Sequence, residues 1–169
     1  MNAEQRPDLI AALQPVASAH DLDELIDRVV SALEGPLQLW HASLALRAPE
    51  RGVVRLLAAW SRTESAFEAD TEVAVSISPK IQEAVDVLAQ GDAVIVEMGN
   101  GGGSLVDHLM QQQGVVSALG IPVAAKGSLF VLTLGTSDAS SVRGLGRAFC
   151  SAVADLLRQS LEALAIVTS

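Results

Sequence analysis

The stretch VVSALGIPVAAKGSLFVLTLG, residues 115–135, decides the fold. It contains two apolar runs of strand length joined by Lys126-Gly127, a pair typical of a compact turn. The two runs therefore predict a β-hairpin. Because both strands are apolar along their whole length, both faces of the sheet that contains them must be covered.

A second hairpin is predicted near 41–60, where HASLALRA and GVVRLLAAW flank a Pro-Glu-Arg-Gly turn. Between the two hairpins, Ser78-Pro79 provides an N-cap and a first-turn proline for a helix that stops at Gly91. A strand over 93–98 leads into the glycine loop GNGGGS, residues 99–104, and Ser104 caps a short helix that ends at Gly114. The middle of the chain is therefore expected to alternate strands with short helices.

Both ends of the chain predict helices. A short helical segment over 8–19 precedes an amphipathic stripe of apolar residues from Leu22 to Leu33, with Asp21 as N-cap and Gly35-Pro36 as the end. A long closing helix starts near Ser141. We therefore expect a single α+β domain over 1–169, with helices about 8–35, a core over 38–136 built on one largely antiparallel sheet, and a closing helix about 141–166.

Composition excludes several classes of protein. The net charge of −9 argues against direct nucleic-acid binding, which needs a clustered positive surface. No apolar run reaches the roughly 18 residues that span a bilayer, and no signal-peptide pattern opens the chain. The single cysteine, Cys150, cannot form an internal disulfide. These observations predict a cytoplasmic location and no membrane insertion.

Taken in order, four segments resemble a GAF domain, the small sensor module of signalling proteins. They are DLDELIDRVVSALEG before ASLALRAPERGVVRLLAAW, then SISPKIQEAVDVLAQGDAVIV, then ALGIPVAAKGSLFVLTLG followed by the final helix. The resemblance implies a GAF-like central antiparallel sheet with the terminal helices on one face. It also implies a ligand pocket on the other face, under loops and a short helix near 61–72 and 97–116.

The glycine loop could be a phosphate cradle or a flexible lid. Phosphate loops normally add a lysine or complete a GxGxxG pattern, whereas here Ser104 stands in the third glycine position. No Lys or Arg occurs between Lys80 and Lys126, although five acidic residues do. An anion would meet a negative field there, so a turn that caps the short helix, or a pocket lid, is favoured.

The pocket is expected to be largely apolar with few polar groups. The candidate lining residues are Trp60, Phe67, Met98, Ser104, Asp107, His108 and Ser117. Such a lining suits a small neutral or cationic ligand better than an anion. For Trp60 and Phe67 the alternative is that they only plug the end of the sheet.

Neither a resident cofactor nor catalysis is expected. Haem bound through His108 remains an alternative, and no metal-ligand spacing is present. GxSxG is missing, and Ser104, Asp107 and His108 on one helix cannot line up as a triad. Among relatives that the resemblance implies, the bilin carriers need a cysteine near the pocket and the sulfoxide reductases need several. The cyclic-nucleotide binders carry an NKFDE-type set that is missing here.

The predicted function is a regulatory sensor that binds a small ligand and signals through its terminal helices in a homodimer. Leu157, Leu161 and Leu164 are the candidate dimer residues, although they could instead only cover the sheet. The alternative function is a dimerisation scaffold with no ligand. The uncapped C-terminal end also allows that the chain is cut from a longer regulator.

Overall fold

The computed structural model describes residues 6–63, 68–98 and 110–166. Its centre is a six-stranded sheet in the order β3-β2-β1-β6-β5-β4. Every neighbouring pair of strands is antiparallel. The strands are β1 Leu39–Ala48, β2 Val53–Ser61, β3 Glu72–Ala74, β4 Val94–Glu97, β5 Ser117–Ala125 and β6 Ser128–Thr136.

Both predicted hairpins are present. In the β5–β6 hairpin, Lys126 and Gly127 have φ of 52° and 72°, the left-handed pair that a two-residue hairpin turn requires. The β1–β2 hairpin turns through Pro49–Arg51 and Gly52, whose φ is 64°. The turn chemistry read from the sequence therefore fixes the strand pairing at these two places.

Helices α1 Pro7–Leu13, α2 Leu22–Leu37, α4 Ala139–Arg143 and α5 Arg147–Ala163 lie together on one face of the sheet. Alternate residues of the central strands, such as Leu44, Leu132 and Ile121, meet them in the core. Each fully buried leucine stabilises the fold by about 1.5–3 kcal/mol. The helix-covered face therefore holds most of the apolar core.

Two helix boundaries differ from the sequence prediction. The Asp21 side chain accepts a hydrogen bond from the Glu24 N–H at 2.7 Å as expected, but α2 continues past Gly35-Pro36 to Leu37, which is fully buried. The closing helix begins earlier than predicted and is divided into α4 and α5 by Gly144 and Gly146. Glycine is a poor helix former, and Gly146 adopts an extended conformation as the N-cap of α5.

The other face of the sheet is covered by α3 Pro79–Ala89 and by residues 110–116. Ser78 caps α3, accepting from the Ile81 N–H at 3.1 Å, and Pro79 occupies its first turn as predicted. Leu88 of α3 packs against Gly120, where an added Cβ would lie 3.5 Å from its Cδ2 atom. Two different layers thus cover the two faces of one sheet.

Candidate functional site

The first strand separates apolar from polar side chains between its two faces. Ala42, Leu44 and Leu46 belong to the helix-covered core. Because side chains alternate along a strand, His41 and Ser43 lie on the opposite face. Both are buried, with only 1% and 5% of their surface exposed. The face opposite the helices therefore carries buried polar groups at the centre of the sheet.

Residues 110–116, here called the covering segment, lie over these polar groups. Residues 110–112 are helical, and Gly114, with φ of 92°, reverses the chain so that Val115 returns onto the sheet. Gly135 lies opposite His41 in the strand register. A Cβ at Gly135 would lie 2.9 Å from Val115 Cγ2 and 3.0 Å from His41 Cβ, so only glycine permits this close packing.

Hydrogen bonds connect the side chains of Ser43, His41 and Gln113 in a row, here called the His41 line. Ser43 Oγ is 2.9 Å from His41 Nε2, and Gln113 Oε1 is 3.1 Å from His41 Nδ1. With the Gln113 oxygen as acceptor, Nδ1 must carry the imidazole proton and donate it. Nε2 is then the acceptor, and the Ser43 hydroxyl donates to it. The line fixes the tautomer of His41.

Burial keeps His41 uncharged. It lowers the imidazole pKa from 6.5 to about 4, and the hydrogen bond with Gln113 opposes that shift only in part. Removing the charged form of the imidazole from water is costly where the side chain is this deeply buried. His41 is therefore neutral at pH 7, and the line consists of neutral dipoles.

One donor of this line has no acceptor among the described residues. Gln113 is 2% exposed, and its Nε2 atom has no hydrogen-bond partner in the described part of the chain. Leaving a buried donor without an acceptor costs about 1–3 kcal/mol. An acceptor atom of a bound molecule would remove that cost.

Of the predicted pocket residues that the structure describes, only Met98 lies near this face. It follows β4, and its N–H donates to the Val116 carbonyl oxygen at 2.9 Å. Val94 and Val96 of the same strand pair with Gly120 and Ala118, on the side of α3. Phe67, Ser104, Asp107, His108 and the glycine loop lie outside the described residues.

Trp60 and Ser117 lie on the helix-covered face instead. Trp60 pairs with Ala42 and packs against the core, and Ser117 shares its face with Leu119. Ser117 is fully buried, and its Oγ atom has no partner among the described residues. Neither side chain contacts the His41 line.

The candidate dimer residues have mixed positions. Leu157 and Leu161 are fully buried within the single chain, where they cover the sheet. Leu164 follows the last turn of α5 in an extended conformation and is half-buried. The first two side chains therefore contribute to the core of one chain.

Sequence reasoning missed His41, Ser43 and Gln113. The first two could have been found from the period-two pattern of HASLALRA, in which polar and apolar residues alternate at its start. Gln113 carries no local signal, because it lies 72 positions from His41 in the chain. Only the folded sheet brings the two side chains together.

Other chemistry-bearing groups are structural in the described part of the chain. Burial raises the pKa of the Cys150 thiol, which disfavours the reactive thiolate.

No cluster of three or more His, Cys, Asp or Glu side chains suited to a metal occurs among residues 6–63, 68–98 and 110–166. Over the same ranges, no helix combines the length and apolar character needed to cross a bilayer.

Solved structures that are similar to this chain include GAF domains. The GAF domain of a phosphoenolpyruvate-protein phosphotransferase from Coxiella burnetii is 16% identical, with a TM-score of 0.65 over 96% of this chain and 95% of that one. Free methionine-R-sulfoxide reductase from Neisseria meningitidis, solved with its substrate, is 14% identical, with a TM-score of 0.62 over 97% and 95%. The phycocyanobilin-bound GAF domain of a cyanobacterial phytochrome is 12% identical, with a TM-score of 0.61 over 92% and 94%.

The chain therefore has the α+β fold of a GAF domain, as the sequence predicted. No family model matches the sequence, and no curated protein matches it. The three neighbours include a domain of a phosphotransferase, an enzyme and a chromophore carrier. Because one fold hosts such different activities, function must be argued from the site.

Proposed function

We propose that this chain is a sensory module that binds a small uncharged molecule on the sheet face opposite its terminal helices. The observation that carries the proposal is the Gln113 amide, which is buried, accepts through its oxygen from His41, and has a donor without a partner among the described residues. A buried polar network normally satisfies all of its members. The ligand's part in the proposal is to supply the missing acceptor.

An uncharged ligand suits the surroundings of this donor. Met110 and Val115 are buried beside Gln113, and His41 is neutral. A charged ligand would lose its hydration without gaining an opposite charge from these side chains. A carbonyl, ether or amide oxygen can accept from Gln113 without that cost.

The remaining lining is proposed from the sequence. Met98 stands next to the covering segment, and Phe67, Ser104, Asp107 and His108 are the residues that we expect to complete the pocket. Trp60 and Ser117 lie on the helix side of the sheet and are not part of the proposed lining. The proposal assigns no catalytic role and no resident cofactor to these residues.

The proposed output is a change in the terminal helices of a homodimer. These helices are tied to the strands and to one another by buried hydrogen bonds. Thr136 Oγ1 donates to the Leu37 carbonyl oxygen at 2.7 Å, and Ser160 Oγ donates to that of Val16. A ligand can shift this output only if it binds two arrangements of the sheet with different affinity.

The binding proposal is tested by thermal unfolding in the presence of small molecules that differ in charge. We expect neutral molecules with a hydrogen-bond acceptor to raise Tm, and their charged analogues to have no effect. Gln113→Met, compared with its own ligand-free state, should lose the shift, whereas the exposed neighbour variant Gln111→Met should keep it.

Three outcomes would count against the proposal, two of them in favour of its alternatives. A shift that Gln113→Met retains in full would remove Gln113 from the site. A red preparation with a Soret band that His108→Ala abolishes would favour the haem sensor. A stable dimer that no molecule stabilises would favour a scaffold without a ligand.

A further inference from the structure

The second half of β5 has an open edge. β4 pairs with β5 only from Ser117 to Gly120. Residues 121–125 pair with β6 on one side, and no strand of the described chain lies on their other side. An open edge presents backbone groups to which another strand can be added.

The hairpin turn determines which backbone groups point outward. A two-residue turn makes Ala125 and Ser128 a hydrogen-bonded pair, so bonds to β6 alternate from there and the groups of Pro122 and Ala124 face the open edge. Arg158 agrees with this geometry, because its Nε donates to the Ala124 carbonyl oxygen at 3.1 Å.

The two groups left on the edge are the Pro122 carbonyl and the Ala124 N–H. They flank Val123, and this arrangement suits one residue of a parallel strand, which donates to the first group and accepts from the second. An antiparallel strand fits less well. Pro122 lacks an N–H, and the Ala124 carbonyl is already bonded to Arg158, so each antiparallel pair would lose one of its two bonds.

A groove of about 1210 Å³ runs along this edge. One wall is α5 and the other is the end of α3 with the linker that follows it. Small residues line both walls, namely Gly146, Ala154, Ala89, Gly91 and Ala93. Small side chains leave room for an extended backbone to approach the edge of the sheet.

The groove is locally positive in a chain whose net charge is −9. Arg47, Lys126 and Arg147 line it, and no ion pair involves them within the described ranges.

Three acidic side chains also line the groove, beside four basic ones, of which Arg158 is the fourth. Glu50 is 3.6 Å from Arg51, and Glu162 accepts from the Lys126 N–H at 2.8 Å. Asp92 is the third acidic lining residue. With four basic and three acidic side chains, the lining keeps one net positive charge, which favours an acidic occupant.

We propose that this groove binds an extended acidic segment of a partner protein, which adds to β5 as a parallel strand. The backbone of the segment bonds to Pro122 and Ala124, and its carboxylates face Arg47, Lys126 and Arg147. The groove lining does not include His41, Ser43 or Gln113, so the groove can act as a partner site whether or not a ligand binds to Gln113.

The test is a titration of the ¹⁵N-labelled protein followed by NMR. The probes are an acetylated, amidated heptapeptide that alternates valine with glutamate, and the same peptide with lysine in place of glutamate. We expect the glutamate peptide to shift the Ala124 amide signal and to bind at least about 10-fold more tightly than the lysine peptide, a difference of about 1.4 kcal/mol.

Two variants address the backbone and the charge separately. Ala124→Pro removes the outward N–H at a position that has no bond to β6, and Arg147→Glu reverses an exposed charge on the groove wall. Each variant should raise the Kd for the glutamate peptide about 10-fold, which corresponds to a loss of about 1.4 kcal/mol in binding free energy. Arg143→Glu makes the same charge change outside the groove and should leave the affinity within about twofold.

Several results would overturn the proposal. They are equal affinity for the two peptides, no shift at Ala124 with millimolar peptide, and full binding to Arg147→Glu. Free glutamate that reproduces the same shifts at the same affinity would show a small-anion site. An Ala124 signal that moves with protein concentration alone would show a contact between copies of this chain. Arg147→Glu keeps the test valid if Ala124→Pro does not fold.

Discussion

The two faces of the central sheet bury different kinds of side chain. On the helix-covered face, leucine, valine and phenylalanine side chains fill the core, and the Thr136 hydroxyl donates a hydrogen bond to Leu37, the last residue of α2. On the opposite face, His41, Ser43 and Gln113 form a buried polar network, and the Gln113 Nε2 donor, like the Ser117 hydroxyl on the first face, has no partner among the described residues. An arrangement that sacrifices stability at one place is expected where a protein performs its function. The comparison therefore places most of the apolar core on the first face and supports the proposal of a recognition site in the polar network of the second.

The largest expected effect compares adjacent residues of β1 that point to opposite faces. Leu44→Ala should destabilise the chain by about 3 kcal/mol, because it removes a fully buried side chain and leaves a cavity. Ser43→Ala should cost only about 1 kcal/mol, the value of one hydrogen bond to His41. Urea unfolding of the two variants measures the difference, and equal losses would contradict the division between the faces.

A second prediction concerns the close packing at Gly135. Gly135→Ala should cost about 1–3 kcal/mol, since its Cβ would lie 2.9 Å from Val115 and force the covering segment away from the sheet. Gly127→Ala is not a suitable control because of its positive φ. Gly35→Ala is suitable, since an added Cβ there meets nothing within 4 Å and Gly35 lies on an exposed turn of α2. Thermal unfolding should show no loss for the control, and an equal loss in both variants would contradict the close packing at Gly135.

The third prediction uses the pH dependence of His41. The folded state holds its pKa at about 4, whereas an unfolded histidine titrates near 6.5. As pH falls through 6.5, the unfolded chain takes up a proton that the folded chain refuses, so stability is complete above that pH and is lost down to about 4. Between pH 7.5 and 5.5 the loss should be about 1.4 kcal/mol.

The matched control for this prediction is His41→Gln, which cannot titrate. The difference in urea-unfolding free energy between the two pH values should be smaller in His41→Gln by that amount. If the wild-type chain and the variant lose the same stability, His41 is not buried in a neutral form.

The smallest effect is expected at the edge of the helix-covered face. Glu97 accepts from Arg143 at 2.9 Å, but the Arg143 side chain is 62% exposed. Exposed pairs of this kind contribute about 0–1 kcal/mol. Glu97→Gln should therefore change the unfolding free energy by less than about 0.5 kcal/mol. A larger loss would mean that ion pairs, and not the apolar core, hold α4 to the sheet.

Much of the fold follows from local patterns. The Lys126-Gly127 turn, the proline that starts α3 and the apolar stripe of α2 are short-range signals, and each was predicted from the sequence. The break between α4 and α5 is not predicted, because the apolar residues on either side have the spacing of one continuous helix despite the two glycines between them. Local signals conflict at that point, and packing decides between them.

The candidate site follows much less from the sequence. His41 and Gln113 meet only because β1 lies beside β6 and residues 110–116 fold back over that pair of strands. Trp60 was a pocket candidate as an aromatic residue at the end of a strand, but the register of β2 turns it toward the helices. A register shift of one residue would reverse that orientation, and composition does not fix the register.

The central claim is tested most directly by native mass spectrometry of freshly purified wild-type protein beside Gln113→Met. If the face opposite the helices binds a ligand through Gln113, the wild-type chain should carry an extra mass that mild denaturation releases and that the variant lacks. The same spectra report the number of subunits, which the account expects to be two. Wild-type and variant chains with the same mass, either both bare or both carrying the same molecule, would contradict the assignment of recognition to Gln113.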